Sequence, residues 1–232
     1  VPNNIAICLS GDLDPDKTVA SIEKYFGDWK PSAHIDVPQF PAQPALTAPV
    51  DTTVVGKEAP MLFMGWRADA SKSLQIDTLE IVAQLLSNGQ AGLFDLDLSQ
   101  KLKVQEVSAG IADMDEYSVF YVYGQPKSGQ TLQEVRSLAL SEIEKLKKGN
   151  FSDDLLPSIV NNYKRYYYTQ LDNNQFRAKQ YVDAFINHKD WKQEVDKLNR
   201  ISKLTKAEIV KFANQFFRND FACVYKEQGN DT

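Results

Sequence analysis

The sequence predicts an α+β fold, in which helices pack on one face of a mixed, mainly antiparallel sheet. Short runs rich in β-branched and aromatic residues, typical of strands, stand near both ends of the chain and in its middle. Longer stretches with apolar residues at helical spacing lie between them. The order of strands, helix, hairpin, helices and strand lacks the regular alternation of a doubly wound sheet, which favours the α+β class.

The composition is that of an ordinary folded domain. Of the 232 residues, 43% are hydrophobic and 25% are charged, which is enough apolar material for one or two packed domains. The 31 acidic residues outnumber the 26 basic ones, whereas phosphate binding needs a concentrated basic surface. No apolar run approaches the roughly 20 residues needed to cross a bilayer. We therefore expect neither nucleic acid as the main ligand nor a membrane span.

A short segment is nearly repeated at the two ends of the chain. Residues 2–9 read Pro-Asn-Asn-Ile-Ala-Ile-Cys-Leu, and residues 218–225 read Arg-Asn-Asp-Phe-Ala-Cys-Val-Tyr. This recurrence indicates a duplicated structural unit with a strand at 5–9 in the first copy. We predict that residues 1–30 are the closing strand and helix of a preceding homologous domain. Because the backbone groups of that strand need partners, we expect it to dock on a sheet edge of this domain or of a neighbouring copy.

The two cysteines, Cys8 and Cys223, stand one position out of step in this repeat. Equivalent strands would direct them to opposite faces of a sheet, because side chains alternate along a strand. We therefore expect no disulfide between them and two buried thiols.

A helix is predicted directly after the first strand. Asp12 or Asp14 caps it, Pro15 lies in its first turn and Gly27 ends it. Prolines then recur with almost no periodic pattern, which is the composition of a stiff, extended connector. We predict a proline-rich linker followed by a second domain. Their ranges are 31–50 and 51–232.

The second domain supplies the remaining strands and helices. Its predicted strands are 52–55, 61–67, 106–112, 117–123 and 221–225. Its predicted helices are 74–86, 92–102, 131–148, 152–167, 174–186, 191–201 and 205–217. Ser73 and Thr131 are predicted to cap helices, Thr205 and Glu208 have the capping-box spacing, and the short turn at 113–116 predicts a hairpin.

The sequence offers little for catalysis. Its two histidines are His34 and His188; His34 lies two residues before Asp36, a spacing that binds metal weakly, and a solvated loop is the ordinary interpretation. His188 stands near a predicted helix end, where the helix dipole favours it. The sequence contains no Gly-x-Ser-x-Gly turn, no HExxH, HxxEH or CxxC motif and no phosphate-binding loop, so a standalone hydrolase lacks both nucleophile and base.

Four tyrosines form the most conspicuous aromatic cluster. They are Tyr163, Tyr166, Tyr167 and Tyr168. Such a cluster could stack on bases or line a peptide-binding face. We favour a single helix on which the first and third face the core while the other two cover its flank.

Two aspartates, Asp95 and Asp97, flank Leu96 beside a predicted helix. Paired carboxylates are typical of acid and base catalysis. Positions two apart on a helix diverge in direction, however, so we expect both carboxylates to be solvated.

Two blocks of sequence at a characteristic spacing carry a family resemblance. The first joins Asn-Asn-Ile-Ala-Ile-Cys-Leu-Ser-Gly-Asp-Leu-Asp, residues 3–14, to Ile-Glu-Lys-Tyr-Phe-Gly, residues 22–27. The second is Leu-Leu-Ser-Asn-Gly-Gln-Ala-Gly-Leu-Phe, residues 85–94, followed by Leu-Ser-Gln-Lys at 98–101. Together they resemble the pitrilysin and insulinase zinc metallopeptidases, over essentially the whole chain. The fold this resemblance implies is the α+β domain of that family.

No part of this sequence resembles the zinc site of such peptidases. In the family, one domain carries HxxEH, whose histidines bind zinc together with a distant glutamate while the motif glutamate acts on the bound water. The resemblance implies that helix 74–86 is the counterpart of the motif helix. There, Glu80, Ala83 and Gln84 stand in about the relevant register and form no ligand set. We expect no catalytic and no metal-binding residue here, and zinc only in the catalytic domain of the parent or partner.

Members of the family also carry an arginine and a tyrosine that hold substrate. Those positions fall on Ser99 and Glu106, which do not match. The resemblance therefore implies no substrate anchor at these two residues.

The function implied is that of a non-catalytic domain of a zinc metallopeptidase, which forms part of the substrate chamber and supports the catalytic half. The implied partners are an HxxEH-bearing half, in the same chain or as a separate subunit, and peptide substrate bound through the complex. A homodimer through strand 5–9 is a further option. The alternative is an assembly subunit of a fully inactive homologue beside an active HxxEH protein. The resemblance to this family favours a periplasmic or cell-envelope location. The residues of this chain do not themselves indicate a location.

Overall fold

A computed structural model describes residues 1–38 and 40–229. The strands are β1 (Val50–Gly56), β2 (Met61–Ala68), β3 (Glu106–Ala112), β4 (Ser118–Gln125) and β5 (Ala222–Gln228). The helices are α1 (Pro15–Phe26), α2 (Gln75–Leu86), α3 (Leu132–Lys147), α4 (Leu155–Leu171), α5 (Asn174–Ile186), α6 (Trp191–Ser202) and α7 (Lys206–Phe216). A 3₁₀ turn at Pro2–Asn4 and a π-helical turn at Asp95–Ser99 complete the elements. Within the described ranges, every helix is too short or too polar to span a bilayer.

The five strands form one mixed sheet in the order β1-β5-β2-β4-β3. β1 and β5 are parallel, whereas β2 runs antiparallel to both β5 and β4, and β4 runs antiparallel to β3. The predicted mixed, mainly antiparallel sheet is therefore confirmed. Although β5 comes last in the chain, it lies inside the sheet and is hydrogen-bonded to a strand on each side.

Helices α2, α3 and α7 pack on one face of this sheet, as predicted for the helices of the domain. Along β2, Leu62, Met64 and Trp66 are buried while the residues between them remain accessible, as the alternation of a strand requires. The ring of Trp66 packs edge-on against Phe217 with centroids 5.3 Å apart, and its indole N–H donates to the carbonyl of Arg218. The core lies between this face and the helices.

The helix starts follow the capping residues that the sequence predicts. Asp14, rather than Asp12, is the N-cap of α1 and accepts a hydrogen bond from a first-turn amide at 3.1 Å. Thr131 and Thr205 each complete a capping box with the glutamate three residues later. These local signals place α1, α3 and α7 to within a residue or two.

Two predictions around α2 are wrong in detail. Leu74 occupies the N-cap position, and Ser73 acts from one residue further out, its hydroxyl accepting the amide of Gln75 at 3.2 Å. The helix predicted over 92–102 is shorter: helical structure covers 93–99 and ends as a π turn. Most of the shortening is at the C-terminal end, where Leu102 has a left-handed backbone, φ 51°.

The first predicted strand is absent from the fold. Residues 5–10 form neither helix nor strand, and residues 6–9 make no backbone hydrogen bond to another described residue. Ile5, Ile7 and Leu9 are 48%, 47% and 49% exposed. Docking on a sheet edge of this same domain is therefore wrong, because β1 and β3 receive no further strand within the described chain. Docking on a neighbouring copy stays a prediction.

The two cysteines differ in their surroundings. Both are free; Cys223 is buried in β5, whereas Cys8 is partly exposed in the N-terminal segment. The expected burial is confirmed for Cys223. It is wrong for Cys8, because the segment that contains Cys8 does not form a strand within a sheet here.

Candidate functional site

A cluster of charged groups lies where α2, α4 and α6 meet. We call Asp77, Glu80, Tyr163, Lys197 and Arg200 the Glu80 cluster. Lys197 Nζ lies 2.8 Å from Glu80 Oε1, and the Tyr163 hydroxyl donates to Glu80 Oε2 at 3.2 Å. Arg200 Nε and Nη2 both reach Asp77 Oδ2, at 2.9 and 2.7 Å. The cluster thus ties α2 to two helices far along the chain.

Helical spacing explains how these side chains meet. Asp77 and Glu80 are three residues apart on α2, and Lys197 and Arg200 are three apart on α6, so each pair shares one helix face. The neighbouring face of α2 carries the buried apolar residues of the core. The cluster therefore lies at the margin of the core, with the Lys197 side chain 17% and the Glu80 side chain 33% exposed.

Burial and charge shift the titration of this cluster. Burial, reinforced by the Glu80 carboxylate, raises the pKa of Tyr163 to about 12. Burial alone would lower the pKa of Lys197, but the interactions with Glu80, Tyr163 and Asp77 together outweigh it and the pKa is raised. Near neutral pH the ammonium and the phenol both keep their protons. Neither group can act as a base or nucleophile there, so the arrangement is suited to holding helices together.

Asp95 and Asp97 are not solvated, and that prediction is wrong. Asp95 is 6% exposed, and its Oδ2 accepts the backbone amides of Asn88 and Gly92 at 2.9 and 3.0 Å. A side chain on Gly92 would lie 2.5 Å from the carbonyl of Leu86, so glycine is required at this close approach. Asp95 therefore fixes the tight connection between α2 and the π turn.

Asp97 lies between two ammonium groups. Its two carboxylate oxygens are 2.6 Å from Lys101 Nζ and 2.7 Å from Lys145 Nζ. Hydrogen bonds from Lys101 and Lys145 lower the pKa of Asp97 to about 2. Lys145 also contacts Glu142, which is 2% exposed and whose pKa is raised by burial. These ion pairs join the π turn to α3. Asp97 and Glu142 are bound to lysines and do not form an acid and base pair that faces an open site.

A cavity of about 860 Å³ opens at one end of the sheet, between the linker, the β3–β4 hairpin and α7. Arg67 lines it, donating to the carbonyl of Gln43 at 2.8 Å and lying 4.9 Å from the centroid of the Tyr117 ring. Arg218 pairs with Asp220 at 2.8 Å. Both arginines therefore already have partners, and the carboxylates of Asp115 and Glu116 also line the cavity. The sequence did not predict that the linker forms one wall of this cavity.

The profile described as the peptidase M16 inactive domain matches residues 1–163, more than half of the chain. The chain belongs to the peptidase M16 inactive-domain family. This confirms the resemblance to the pitrilysin and insulinase peptidases.

Individual relatives agree with this assignment. The zinc protease PqqE of Helicobacter pylori is 23% identical over 227 residues, covering 94% of this chain and 50% of that protein. The crystal structure of a protease from Helicobacter pylori superposes with a TM-score of 0.87 at 19% identity, over 94% of this chain and 54% of that one. A peptidase M16 inactive domain from Pseudomonas fluorescens gives 0.77 at 12% identity, over 96% and 53%. The structural likeness shows the fold, and this chain spans about half the length of these relatives.

Zinc, the metal that zinc peptidases of the M16 family imply, does not fit the residues on α2. At the positions that the resemblance implies for the motif, Glu80 is paired with the ammonium of Lys197, Ala83 is buried and Gln84 is exposed. An ammonium 2.8 Å from the one carboxylate opposes a dication. Over residues 1–38 and 40–229, no group of three or more metal-ligating side chains lies together. No chemical step is assigned to zinc in this chain.

The other residues singled out in the sequence are dispersed. Ser99 ends the π turn, and Glu106 begins the edge strand β3; their lack of a substrate-holding role stays a prediction. His34 Nε2 contacts the Asp36 carboxylate at 3.0 Å with both side chains more than 80% exposed. His188 follows α5 with a left-handed backbone, φ 51°. None of the four lies in the Glu80 cluster.

The tyrosine cluster is arranged as the favoured interpretation predicts. Tyr166 and Tyr168 are each 61% exposed, whereas Tyr163 and Tyr167 are partly buried. Sequence reasoning did not foresee that the Tyr163 hydroxyl binds Glu80. The sequence gives only a weak indication of this contact, because Tyr163 and Glu80 are 83 residues apart.

Large apolar side chains lie uncovered on three helices of this M16 domain. None of the residues of α1 is buried, and Val19 and Tyr25 are 62% and 67% exposed. On α5 and α6, Ile186 and Val195 are 59% and 63% exposed. The ring of Tyr181 on α5 lies 4.4 Å from that of Trp191 at the start of α6, and large exposed apolar areas are typical of interaction sites. This surface is the strongest candidate for a functional feature of the domain.

Proposed function

We propose that this M16 domain is a non-catalytic support, which packs against an HxxEH-bearing half and forms part of the wall of its substrate chamber. The observation that carries the proposal is the uncovered apolar surface on α1, α5 and α6. An isolated domain gains nothing from leaving such side chains in water, whereas a docked domain buries them at about 25 cal/mol per Å². Peptide substrate would contact this domain only through the assembled complex.

The domain organisation belongs to the same proposal. Residues 1–30 are the closing strand and helix of a preceding homologous domain, residues 31–50 the linker and residues 51–232 the second domain. The exposed apolar side chains of the first segment support this division, and so does the Asn3 side chain, which binds the backbone of Ser32 and folds the segment back towards the linker. Residues 1–30 then belong functionally to the partner.

Zinc belongs, in this proposal, to the HxxEH-bearing partner. The proposal is supported by the ammonium of Lys197, which lies against Glu80 in this chain. Purified alone, the chain should therefore retain far less than one equivalent of zinc after dialysis, and it should not cleave peptides.

The decisive experiment measures peptide cleavage by the HxxEH-bearing half with and without this domain. We expect activity to fall at least tenfold when the domain is absent and to return when it is added back. A charge placed on the apolar surface, Val195→Asp, should weaken the restoration, whereas Asn162→Asp on the exposed side of α4 should not. Both variants should unfold at the temperature of the parent chain.

Two results would contradict the proposal. One is full activity of the HxxEH-bearing half without this domain; the other is cleavage or stoichiometric zinc binding by this chain alone. If neither half cleaves peptides and the two still copurify, the assembly subunit of an inactive homologue becomes the better description.

A further inference from the structure

We propose that the open face of the sheet, opposite helices α2, α3 and α7, binds an extended segment of peptide substrate at the cavity beside the linker. The segment that fits has an apolar or aromatic residue next to a basic one. The inference rests on the proposed chamber wall. It adds which face of this domain the peptide meets and which peptide chemistry that face selects.

Apolar side chains form an accessible shelf on this open face. In the sheet register, Phe63 of β2 lies between Val224 of β5 and Tyr123 of β4. Phe63 is 42% and Val224 37% exposed, and the ring centroids of Phe63 and Tyr123 are 5.1 Å apart. Tyr121, whose ring centroid is 6.2 Å from that of Phe63, completes what we call the Phe63 shelf. Aromatic side chains are enriched where proteins bind other chains.

A recess lies beside the Phe63 shelf. The next positions on the open face are Gly65 and Ala222, which pair directly with each other in the sheet. Because neither carries a long side chain, they leave space above the strands. Together with Val119 they line the cavity of about 860 Å³, within the range of roughly 300–1,000 Å³ that is typical of ligand sites. The recess therefore has room for one peptide side chain while the shelf supports its neighbour.

The linker already presents peptide backbone to this cavity. Residues 43–46 form one wall without helix or strand, and Arg67 Nη1 donates to the main-chain carbonyl of Gln43 at 2.8 Å. Arg67 is exposed on the open face, and its guanidinium lies 4.9 Å from the centroid of the Tyr117 ring. A guanidinium has five N–H donors, and the Gln43 carbonyl is the one acceptor that Arg67 binds within the described chain. The remaining donors suit the carbonyl groups of a second extended segment.

Two carboxylates at the mouth of the cavity give the site its charge. Asp115 and Glu116 lie at the tip of the β3–β4 hairpin and line the cavity. Both residues are exposed, and neither carboxylate forms a hydrogen bond or an ion pair with another described residue. By contrast, Asp113 and Asp220 are each paired with a basic side chain. A basic residue of a peptide complements the two free carboxylates, and such complementarity selects partners more than it adds affinity.

Other ligands fit this cavity less well. A metal ion would need more ligands, because no group of three or more metal-ligating side chains lies together in the described ranges. A phosphate would be repelled by the two unpaired carboxylates, and Arg218 is already paired with Asp220. The family's substrate-holding positions, Ser99 and Glu106, lie outside the lining of the cavity, so this is a separate site.

The test uses the complex of the HxxEH-bearing half with this domain and two peptides that differ in one residue. Each peptide carries a photoreactive benzoylphenylalanine, followed by arginine in one peptide and by glutamate in the other. The crosslinks of the arginine peptide, located by mass spectrometry, should fall on the Phe63 shelf and not on α5 or α6. The glutamate peptide should crosslink there at least fivefold less, because the two carboxylates repel it.

Variants of the two carboxylates test the charge preference. Asp115→Asn combined with Glu116→Gln should raise KM for cleavage of the arginine peptide about fivefold with kcat unchanged, because binding away from the reacting bond stabilises substrate and transition state equally. The glutamate peptide should show no such rise. The control, Asp154→Asn with Asp172→Asn, removes two exposed charges at the ends of α4 and should leave both KM values unchanged. Both double variants should melt at the temperature of the parent chain.

The outcomes separate this site from the support function. Crosslinks outside the open face, equal crosslinking of the two peptides, or a KM that the carboxylate variant leaves unchanged would overturn the inference. Crosslinks to the Phe63 shelf, with cleavage that does not need this domain, would reject the support function and leave the peptide site standing. Cleavage that depends on this domain, without crosslinks to the shelf, would reject only the peptide site. If the complex cleaves neither peptide, the crosslinks alone decide.

Discussion

At the scale of single residues, sequence patterns do not predict the contacts between side chains that are far apart in the chain. Asp97 was expected in solvent because it stands two positions from Asp95 on a predicted helix. The turn is instead π-helical, and Asp97 meets Lys145, which is 48 residues away in the chain and lies on α3. Local periodicity contains no information about such a distant partner. The same holds for Glu80, whose ammonium partner, Lys197, is 117 residues away.

Replacing Asp97 by asparagine should destabilise the domain in a pH-dependent way. Its folded pKa is lowered to about 2 from 3.8, so the stabilisation is present above about pH 4 and is lost as the pH falls towards 2. With the side chain 23% exposed, the loss at pH 7 should be roughly 2 kcal/mol. Urea unfolding at pH 7 and at pH 2.5 measures it. Asp36→Asn, 96% exposed, serves as the control. An unchanged difference between the two pH values would contradict the ion-pair origin.

Replacing Glu80 by glutamine should leave the Lys197 ammonium poorly compensated at the margin of the core. Asp77 Oδ1, at 3.7 Å, remains the nearest carboxylate. We expect a loss of roughly 1–3 kcal/mol in the free energy of unfolding, less than for a fully buried pair because Glu80 is partly solvated. Asp183→Asn breaks the exposed pair with Lys179 and should change stability by under about 0.5 kcal/mol. Equal effects would show that the Glu80 cluster is no more than a surface contact.

At the scale of helices and strands, prediction succeeded where the signal is local. The capping residues Thr131 and Thr205 and the alternation along β2 fix element type and start within a few positions of sequence. The strand at 5–9 failed although its alternation is as clear as that of β5. A strand exists only where another strand bonds it, and its neighbours are not among residues 10–38 and 40–229.

Removing a threonine cap should therefore weaken the domain by a predictable amount. Thr131 and Thr205 each accept a backbone amide, from Glu134 and Glu208 at 3.2 Å, and hold that glutamate in return. Thr→Ala at either position should cost about 1 kcal/mol. Ser137→Ala, on the exposed side of α3, should change stability by less than half of that. Chemical denaturation of the three variants decides it; a silent Thr131→Ala would mean that packing alone maintains the start of α3.

For the whole molecule, the two copies of the repeated segment have opposite importance in the isolated chain. No residue of α1 is buried. The first copy and α1 are joined to the rest of the chain by the Asn3–Ser32 and Ser10–Arg177 hydrogen bonds. The second copy supplies β5 at the centre of the sheet and core residues such as Cys223. The asymmetry is what a domain carrying a neighbour's strand would show.

Truncation at the two ends should expose this asymmetry. Deleting residues 1–30 should shift the melting temperature by no more than about 3 °C, because little buried surface is lost and loosely attached termini contribute little to stability. Deleting residues 222–229 should abolish cooperative unfolding, since β1 would lose its one bonded neighbour and β2 one of its two. Circular dichroism melts of the two chains make the comparison. A large loss from the N-terminal deletion would mean that residues 1–30 belong to this domain's own fold, and the partner they were assigned to would no longer be needed to explain them.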